Sequence, residues 1–199
     1  AVDSVFVEGV SVFGVSLGVS VLDAATRSAI TIGAATIRND SGDVYLTTRT
    51  AADSNVSANL FTASVLSGIT GASATGRIDA LNVIRTEDSL IRGGTVYLLA
   101  GVDSRGEVNL LDGSADAQIT SVSLFPSLNV PIPEISIKER NLLQLTGSTV
   151  IQSIGNVHLR AVEGIGGNAR GSETGGMVSI SLIPYGDSID RRGEVDLQR

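Results

Sequence analysis

The residues of this chain that could do chemistry are few. Among 199 residues there is one histidine, His158, a scatter of Asp and Glu in glycine-bearing segments, and no cysteine. Without Cys there is no disulfide framework, thiolate metal cluster or cysteine nucleophile, and one histidine cannot build a multi-histidine metal site. As a catalytic base His158 would need an orienting carboxylate and a nucleophile. It stands in Gly155-Asn-Val157-His-Leu159, where two similar segments carry Tyr45 and Tyr97, so it reads as an outward residue of a repeated strand.

The acids cluster with glycine in Asn39-Asp40-Ser41-Gly42-Asp43, Asp103-Ser104-Arg105-Gly106-Glu107 and Asp112-Gly113-Ser114-Ala115-Asp116. Calcium takes about six to eight oxygens, and such turns could supply some. Neither an EF-hand loop nor the Gly-Gly-x-Gly-x-Asp calcium repeat is present: the run beginning at Gly166 has Ala169 and Gly171 where that repeat needs Gly and Asp. Ordinary β-turns account for Asp and Gly at these places, so the expectation is no cofactor, with Ca2+ as the alternative. The run Glu163-Gly-Ile-Gly-Gly-Asn168 lacks the lysine of a P-loop and reads as a flexible loop. An inverting glycosidase needs two carboxyls roughly 6.5–9.5 Å apart, a separation that sequence does not set for Asp103, Glu107 and Asp116. The absence of Trp and the presence of only three Tyr argue against a sugar-stacking cleft.

The elements that must position these residues follow from composition. Apolar residues make up 42% of the chain but only seven are aromatic, so the core is built from Val, Ile, Leu and Ala, which suit pleated surfaces. With 23 Gly, one Met and Lys138 as the single lysine, long helices are poorly supported. A net charge of −7 leaves no basic stripe for nucleic acid. The stretch Val5 to Leu22 is almost uncharged, but it contains Glu8 and alternates as Val15-Ser-Leu17-Gly-Val19-Ser-Val21, which is a strand with one polar face rather than a membrane span. No basic segment followed by an apolar one opens the sequence, so the chain reads as a mature product or an excised piece.

Repeats organise the rest. Gly-x-Val-x-Leu occurs at Gly42–Leu46, Gly94–Leu98 and Gly155–Leu159, with Val-to-Val spacings of 52 and 61 residues. Each instance follows a short apolar run ending near Ile37, Ile91 or Ile151. A second marker recurs as Ser57-Ala-Asn-Leu60-Phe61, Ser121-Val-Ser-Leu124-Phe125 and Ser179-Ile-Ser-Leu182-Ile183. Short strands and turns repeating over tens of residues without helical connectors fit a solenoid, and a β-sandwich or jelly roll is the alternative. The expectation is one all-β domain over residues 1–199, with repeats at about 42–93, 94–154 and 155–199 after a partial repeat 1–41. Each repeat would hold two or three coils, at roughly 20–25 residues for a coil of three short strands.

The arrangement Ala80-Leu-Asn-Val83-Ile84 … Ser89-Leu90-Ile91-Arg-Gly93-Gly94-Thr-Val96-Tyr-Leu98, with its counterpart Ile32–Ile37 … Gly42–Leu46, resembles repeats of the large bacterial filamentous adhesins. These are the filamentous-haemagglutinin-like and leukotoxin-related exoproteins. The likeness runs over roughly residues 20–160 and more loosely to the end, with Pro131-Ile132-Pro133 as a departure. It implies a right-handed parallel β-helix, secretion to the bacterial cell surface, and a role as a surface rod or fibre.

The functional expectation is therefore a non-enzymatic, extracellular structural or adhesive β-solenoid, binding itself and host or surface glycans, with no nucleic acid and no membrane span. The competing class is a carbohydrate-active β-helix such as a polysaccharide lyase or tailspike-like depolymerase. Two surfaces are candidates. Loops 102–116 and 162–176 would emerge in line and present Asp103, Arg105, Glu107, Arg170 and Glu173 to a partner. Segments without Asp, Glu, Lys or Arg run from Gly9 to Leu22, Val56 to Gly76, Ala117 to Pro133 and Thr174 to Gly186, and Phe61, Phe125 and Ile183 would form an outward stripe there unless a corner turns them back into the core. Chain ends within strand-like sequence predict end-to-end stacking into a homopolymer, with the stripe as a lateral contact.

Overall fold

In the computed structural model, which describes residues 2–11, 14–66, 68–125, 127–161, 169–181 and 192–198, every regular element is a strand. The chain winds through the same four strands in each turn. The first turn holds β1 (Val2–Ser11), β2 (Gly14–Gly33), β3 (Thr36–Arg38) and β4 (Val44–Thr48). The second holds β5 (Ala51–Ser64), β6 (Gly68–Glu87), β7 (Leu90–Gly93) and β8 (Val96–Ala100). The third holds β9 (Leu110–Ser123), β10 (Leu128–Thr146), β11 (Val150–Ser153) and β12 (Val157–Ala161), and β13 (Ala169–Ser181) and β14 (Arg192–Gln198) begin a fourth. Strands pair in parallel with their equivalents one turn away, giving the sheets β1-β5-β9-β13, β2-β6-β10-β14, β3-β7-β11 and β4-β8-β12. This is a parallel β-solenoid.

Val44 pairs with Val96, and Val96 with Val157. The repeat intervals of 52 and 61 residues are thus single turns, not two or three short coils. The larger interval is due mainly to one connection: ten steps separate Ala100 from Leu110 where three separate their partners Thr48 and Ala51. The bends before β11 and before β12 are each one residue longer than those before β7 and β8.

The turns are long because most of each is a two-layer sandwich rather than a triangle. The β5–β9 sheet packs on the β6–β10 sheet through small side chains: Val56, Ala58 and Leu60 meet Ala72 and Ala74, with Ala115, Ala117 and Ile119 in the next turn. A β-carbon on Gly18 would lie 2.3 Å from Leu60 Cδ1, and one on Gly76 would lie 3.2 Å from Val56 Cγ1, both on the opposite sheet. Layers this close bury each other without a third sheet, so the strands continue straight, and β6 with 20 residues spans about 66 Å. Only past residue 82 does the cross-section open into a triangle, where the end of β6 joins β7 and β8 around Ile84, Ile91, Val96 and Leu98. The repeated Val/Leu pattern fills this head as expected, with Val44 and Leu46 in the same cluster. On the last rung of the head, Val157 and Leu159 stand 44% and 45% exposed, against 0% for Val96 and Leu98.

A buried polar knot separates the two packing regimes. Asn82, Asn109, Glu139 and Asn141 are all inaccessible to solvent. The Asn109 and Asn141 amides both donate to Glu139 Oε1 at 2.6 Å, and Asn82 donates to Asn141 Oδ1 at 2.9 Å. Thr50 donates its hydroxyl to Asn82 Oδ1 and its backbone N–H to Asn109 Oδ1, at 2.9 and 2.8 Å. Strand side chains here change from opposing one sheet to enclosing two, and the corner's backbone needs polar partners that an aliphatic layer does not supply.

Candidate interaction surface

The uncharged segments come together. Gly9 pairs with Thr62, Ala58 with Ala117, Leu22 with Gly76, and Ala74 with Pro133, so the charge-free stretches of successive turns stack together at the end of the sandwich far from the head. In β2 the side-chain parity is opposite to the usual one. In β2 it is Gly18 and Ser20 that point inward, and Ser20 is 1% exposed. Val15, Leu17, Val19 and Val21 point out, at 62, 68, 61 and 48% exposure. Polar-in, apolar-out is forced by the thin core: Gly18 already leaves no room for a β-carbon beside Leu60, so the Val/Leu set can occupy only the other face. The same parity puts Ile69 of β6 and Leu128 of β10 outside. Pro131 and Pro133 face inward, just ahead of Glu134, where β14 begins its pairing with β10, a place on a strand where missing N–H donors are tolerated.

Across this face the three turns form a ridge, a furrow and a ridge. Leu17 and Val19 stand beside Gly71 and Ser73, which stand beside Val130 and Ile132. The furrow is apolar, with a volume near 260 Å³. At the adjoining corner Val65, Leu66, Leu124 and Phe125 are all between 42 and 51% exposed. Further along the same outer face the polar character returns with Asp23, Arg77, Asp79, Glu134 and Lys138 around a wider groove, where Arg140 answers Asp79 at 3.2 Å and Arg77 approaches Asp23 at 3.9 Å.

The stripe drawn from the Ser-x-x-Leu marker has a different membership. Phe61 pairs with Glu8 and Thr120, whereas Phe125 lies just past Ser123, whose partner is Ser64. Leu60 is in the core but Leu124 is 47% exposed. The ladder follows the inward column Leu60–Ile119, five positions away from the alignment that residue type suggests, so the true neighbours of Leu124 and Phe125 are Val65 and Leu66. Ile183 lies outside the described residues.

The predicted loops are shorter than their sequences suggest. Residues 110–116 and 169–176 are strand, so Asp112 and Asp116 belong to β9, and Arg170 and Glu173 belong to β13 opposite Asp112 and Ala115. Residues 162–168 lie outside the described set. What remains is residues 101–109, a hairpin with glycines at positive φ at Gly101 and Gly106. Asp103 Oδ1 accepts the backbone N–H groups of Arg105 and Glu107, both at 2.9 Å. Arg49 binds Glu107 at 2.9 Å, approaches Asp103 at 3.8 Å and donates to the Val108 carbonyl at 2.8 Å. The bond from the Glu107 N–H, above all, holds the Asp103 carboxyl below the ordinary aspartate value. Asp103, Arg105 and Glu107 thus share one turn, whereas Asp116 is engaged by Gln118 within β9.

On the outer face of the head, Tyr45, Tyr97 and His158 form a stack, with ring centroids 4.4 and 4.6 Å apart and planes within 4° of parallel. Burial against its neighbours, then Tyr97 and Asp43, pushes the Tyr45 hydroxyl above its usual value. In the 39–43 turn, Asp40 binds Arg38 at 2.6 Å and Arg92 at 3.4 Å, and Asp43 accepts the Thr95 N–H at 2.7 Å. Among the described residues there is no group of three or more His, Cys, Asp or Glu side chains placed to hold a metal ion, and no helix long and apolar enough to cross a membrane. Asp23, Asp40, Asp43, Asp79, Asp103, Glu107 and Asp116 are answered by arginines, backbone amides or Gln118, which suits them to fixing turns and ladders. No protein-family model, curated protein or solved structure matches this chain.

Proposed function

We propose that this chain is a segment of an extracellular, non-catalytic rod, a structural or adhesive β-solenoid of the kind the filamentous bacterial exoproteins resemble in their repeats, presented at the cell surface. The observation that carries the reading is the parallel ladder: the described strands of each turn pair with their equivalents one turn away, in four sheets that share one axis. Repetition of that kind builds a rod coil by coil. The pairing of Asp103, Glu107, Asp40 and Asp79 with arginines supports structural rather than acid–base roles for these carboxylates. Host or surface glycans are the partners proposed for the turns along the rod.

Two measurements test this. Negative-stain images should show rods one solenoid in width or a multiple of it. Incubation with a panel of acidic and neutral polysaccharides should release no reducing ends and no unsaturated products. Globular particles, or clear turnover lost on Asp79→Asn or Glu134→Gln, would replace the structural reading with the lyase or depolymerase alternative.

A further inference from the structure

We propose that a second copy of this chain packs on the apolar outer face of β2, β6 and β10, so that solenoids associate side by side as well as end to end. The occupant is set by shape and charge. The outward Val15, Leu17, Val19, Val21 and Ile69 of this face are all between 47 and 68% exposed.

The shape is self-complementary, as a two-fold interface requires. Leu17 and Val19 form a ridge in the first turn, and the next turn offers Gly71 and Ser73, the smallest outward pair of the face. A two-fold axis parallel to the strands, passing between these turns, sets the Leu17 side chain of each copy over Gly71 of the other and Val19 over Ser73. Strand directions then remain aligned, the ordinary arrangement of packed sheets. Any axis that superposes equal turns would place ridge on ridge.

Charge selects the same partner. The chain carries −7, so two copies repel over most of their surfaces. The stacked segments 9–22, 56–76 and 117–133 contain no Asp, Glu, Lys or Arg, which makes this face a place where copies meet without like charges opposed. A lipid surface would be the other taker of an apolar face, but anionic leaflets recruit basic clusters, and the charged groups bordering this one are mixed, Asp23, Arg77 and Glu134 among them.

The test uses the full 199-residue chain. In analytical ultracentrifugation the wild type should sediment at twice 20.4 kDa, or as filaments of doubled mass per unit length. Leu17→Lys/Val19→Lys should halve that mass, with the far-UV spectrum and melting temperature kept because both side chains are outside the core. As a check of register, an equal mixture of Val19→Cys and Ser73→Cys proteins, each carrying the only thiol of its chain, should be joined by a short bis-maleimide more efficiently than either alone. A wild type that stays monomeric, a double-lysine variant of unchanged mass, or monomers that float with neutral phosphatidylcholine vesicles would each overturn the proposal. Rung-on-rung stacking does not involve residues 17 and 19, so loss of filament length and loss of filament width report separately on the rod reading and on this one.

Discussion

Leu46, Leu98 and Leu159 offer one substitution in three environments, since they share a register column in the head of the solenoid. Leu98 is 0% exposed and sits among Val96, Ile91 and Ile84. Its truncation to Ala removes the transfer energy of three carbons and leaves a cavity closed by the turns above and below, a loss of about 3–4 kcal/mol. For a chain of this size that lowers the melting temperature by roughly 6–15 °C. Leu159 is 45% exposed. Only about half its side chain is withdrawn from water and no closed cavity forms, so Leu159→Ala should cost about 1 kcal/mol. Leu46, half-buried against the same cluster, should fall between. Urea unfolding followed by circular dichroism, at dilutions where the chain does not stack end to end, measures all three, compared at unchanged m so that the midpoint reports stability alone. Equal losses at Leu98 and Leu159, or a loss at Leu98 below about 1 kcal/mol, would refute both the column and the claim that the β12 rung lies open.

Three further outcomes are expected. Val96→Asp, which buries a charge with no cation in its cluster, should cost at least about 4 kcal/mol and is expected to yield little folded protein; a variant that melts like the wild type would contradict the register. The inverted parity of β2 predicts that Ser20→Val is the damaging change and Val19→Ser the mild one: overpacking at the buried Ser20 costs about 1–3 kcal/mol, against roughly 0.5 kcal/mol or less at the exposed site, and thermal melts giving the reverse order would contradict this parity. The Asp103 carboxyl is held below the ordinary aspartate value, so what it contributes to the 101–109 hairpin is present above that value and is lost as pH falls through the lowered one. Carboxyl chemical shifts should place its midpoint below that of a free aspartate, and Arg49→Ala should move it upward.

The repeated Gly-x-Val-x-Leu marker was legible because it reports the head, where a triangular cross-section demands large inward side chains at the same point of every turn. The sandwich was not, for a reason visible at Gly18, Ser20, Ala72 and Ala74. When two sheets lie close, the inward face is the one with small residues, and the alternation of Val15–Val21 looks like a buried strand while being turned inside out. Residue type also misplaced the second marker, since Leu60 and Leu124 match in letter but differ by five positions in ladder. The absence of charge proved the better guide. It needs no assignment of parity, and its stretches stack together over the described turns. The signal that would have located the outward face was there as well: opposite Val15–Val21, the next turn reads Ile69-Thr-Gly71-Ala-Ser73-Ala, which supplies small residues on both parities and so permits a thin core.

The polar knot explains how one turn can hold both cross-sections. Asn82 and Asn141 are direct partners in adjacent turns, so their amides stack as a ladder along the solenoid axis. Asn109, at the foot of the 101–109 hairpin, reaches the same point from the opposite wall, and its backbone N–H returns to the Gly101 carbonyl at 3.0 Å. A hairpin inserted at this corner therefore adds length without displacing the rungs on either side, because its last residue supplies the hydrogen bonds that the shorter corner at Arg49-Thr50 makes through Thr50. Aliphatic contacts alone tolerate a slip of two residues along a strand, since parity is unchanged. A buried amide ladder does not, because a slip leaves several donors and acceptors unpaired at about 1–3 kcal/mol each. The small, interchangeable Ala and Gly contacts of the sandwich could not fix the register of 20-residue strands by themselves. The knot beside them does so between the second and third turns, where Asn82 pairs with Asn141.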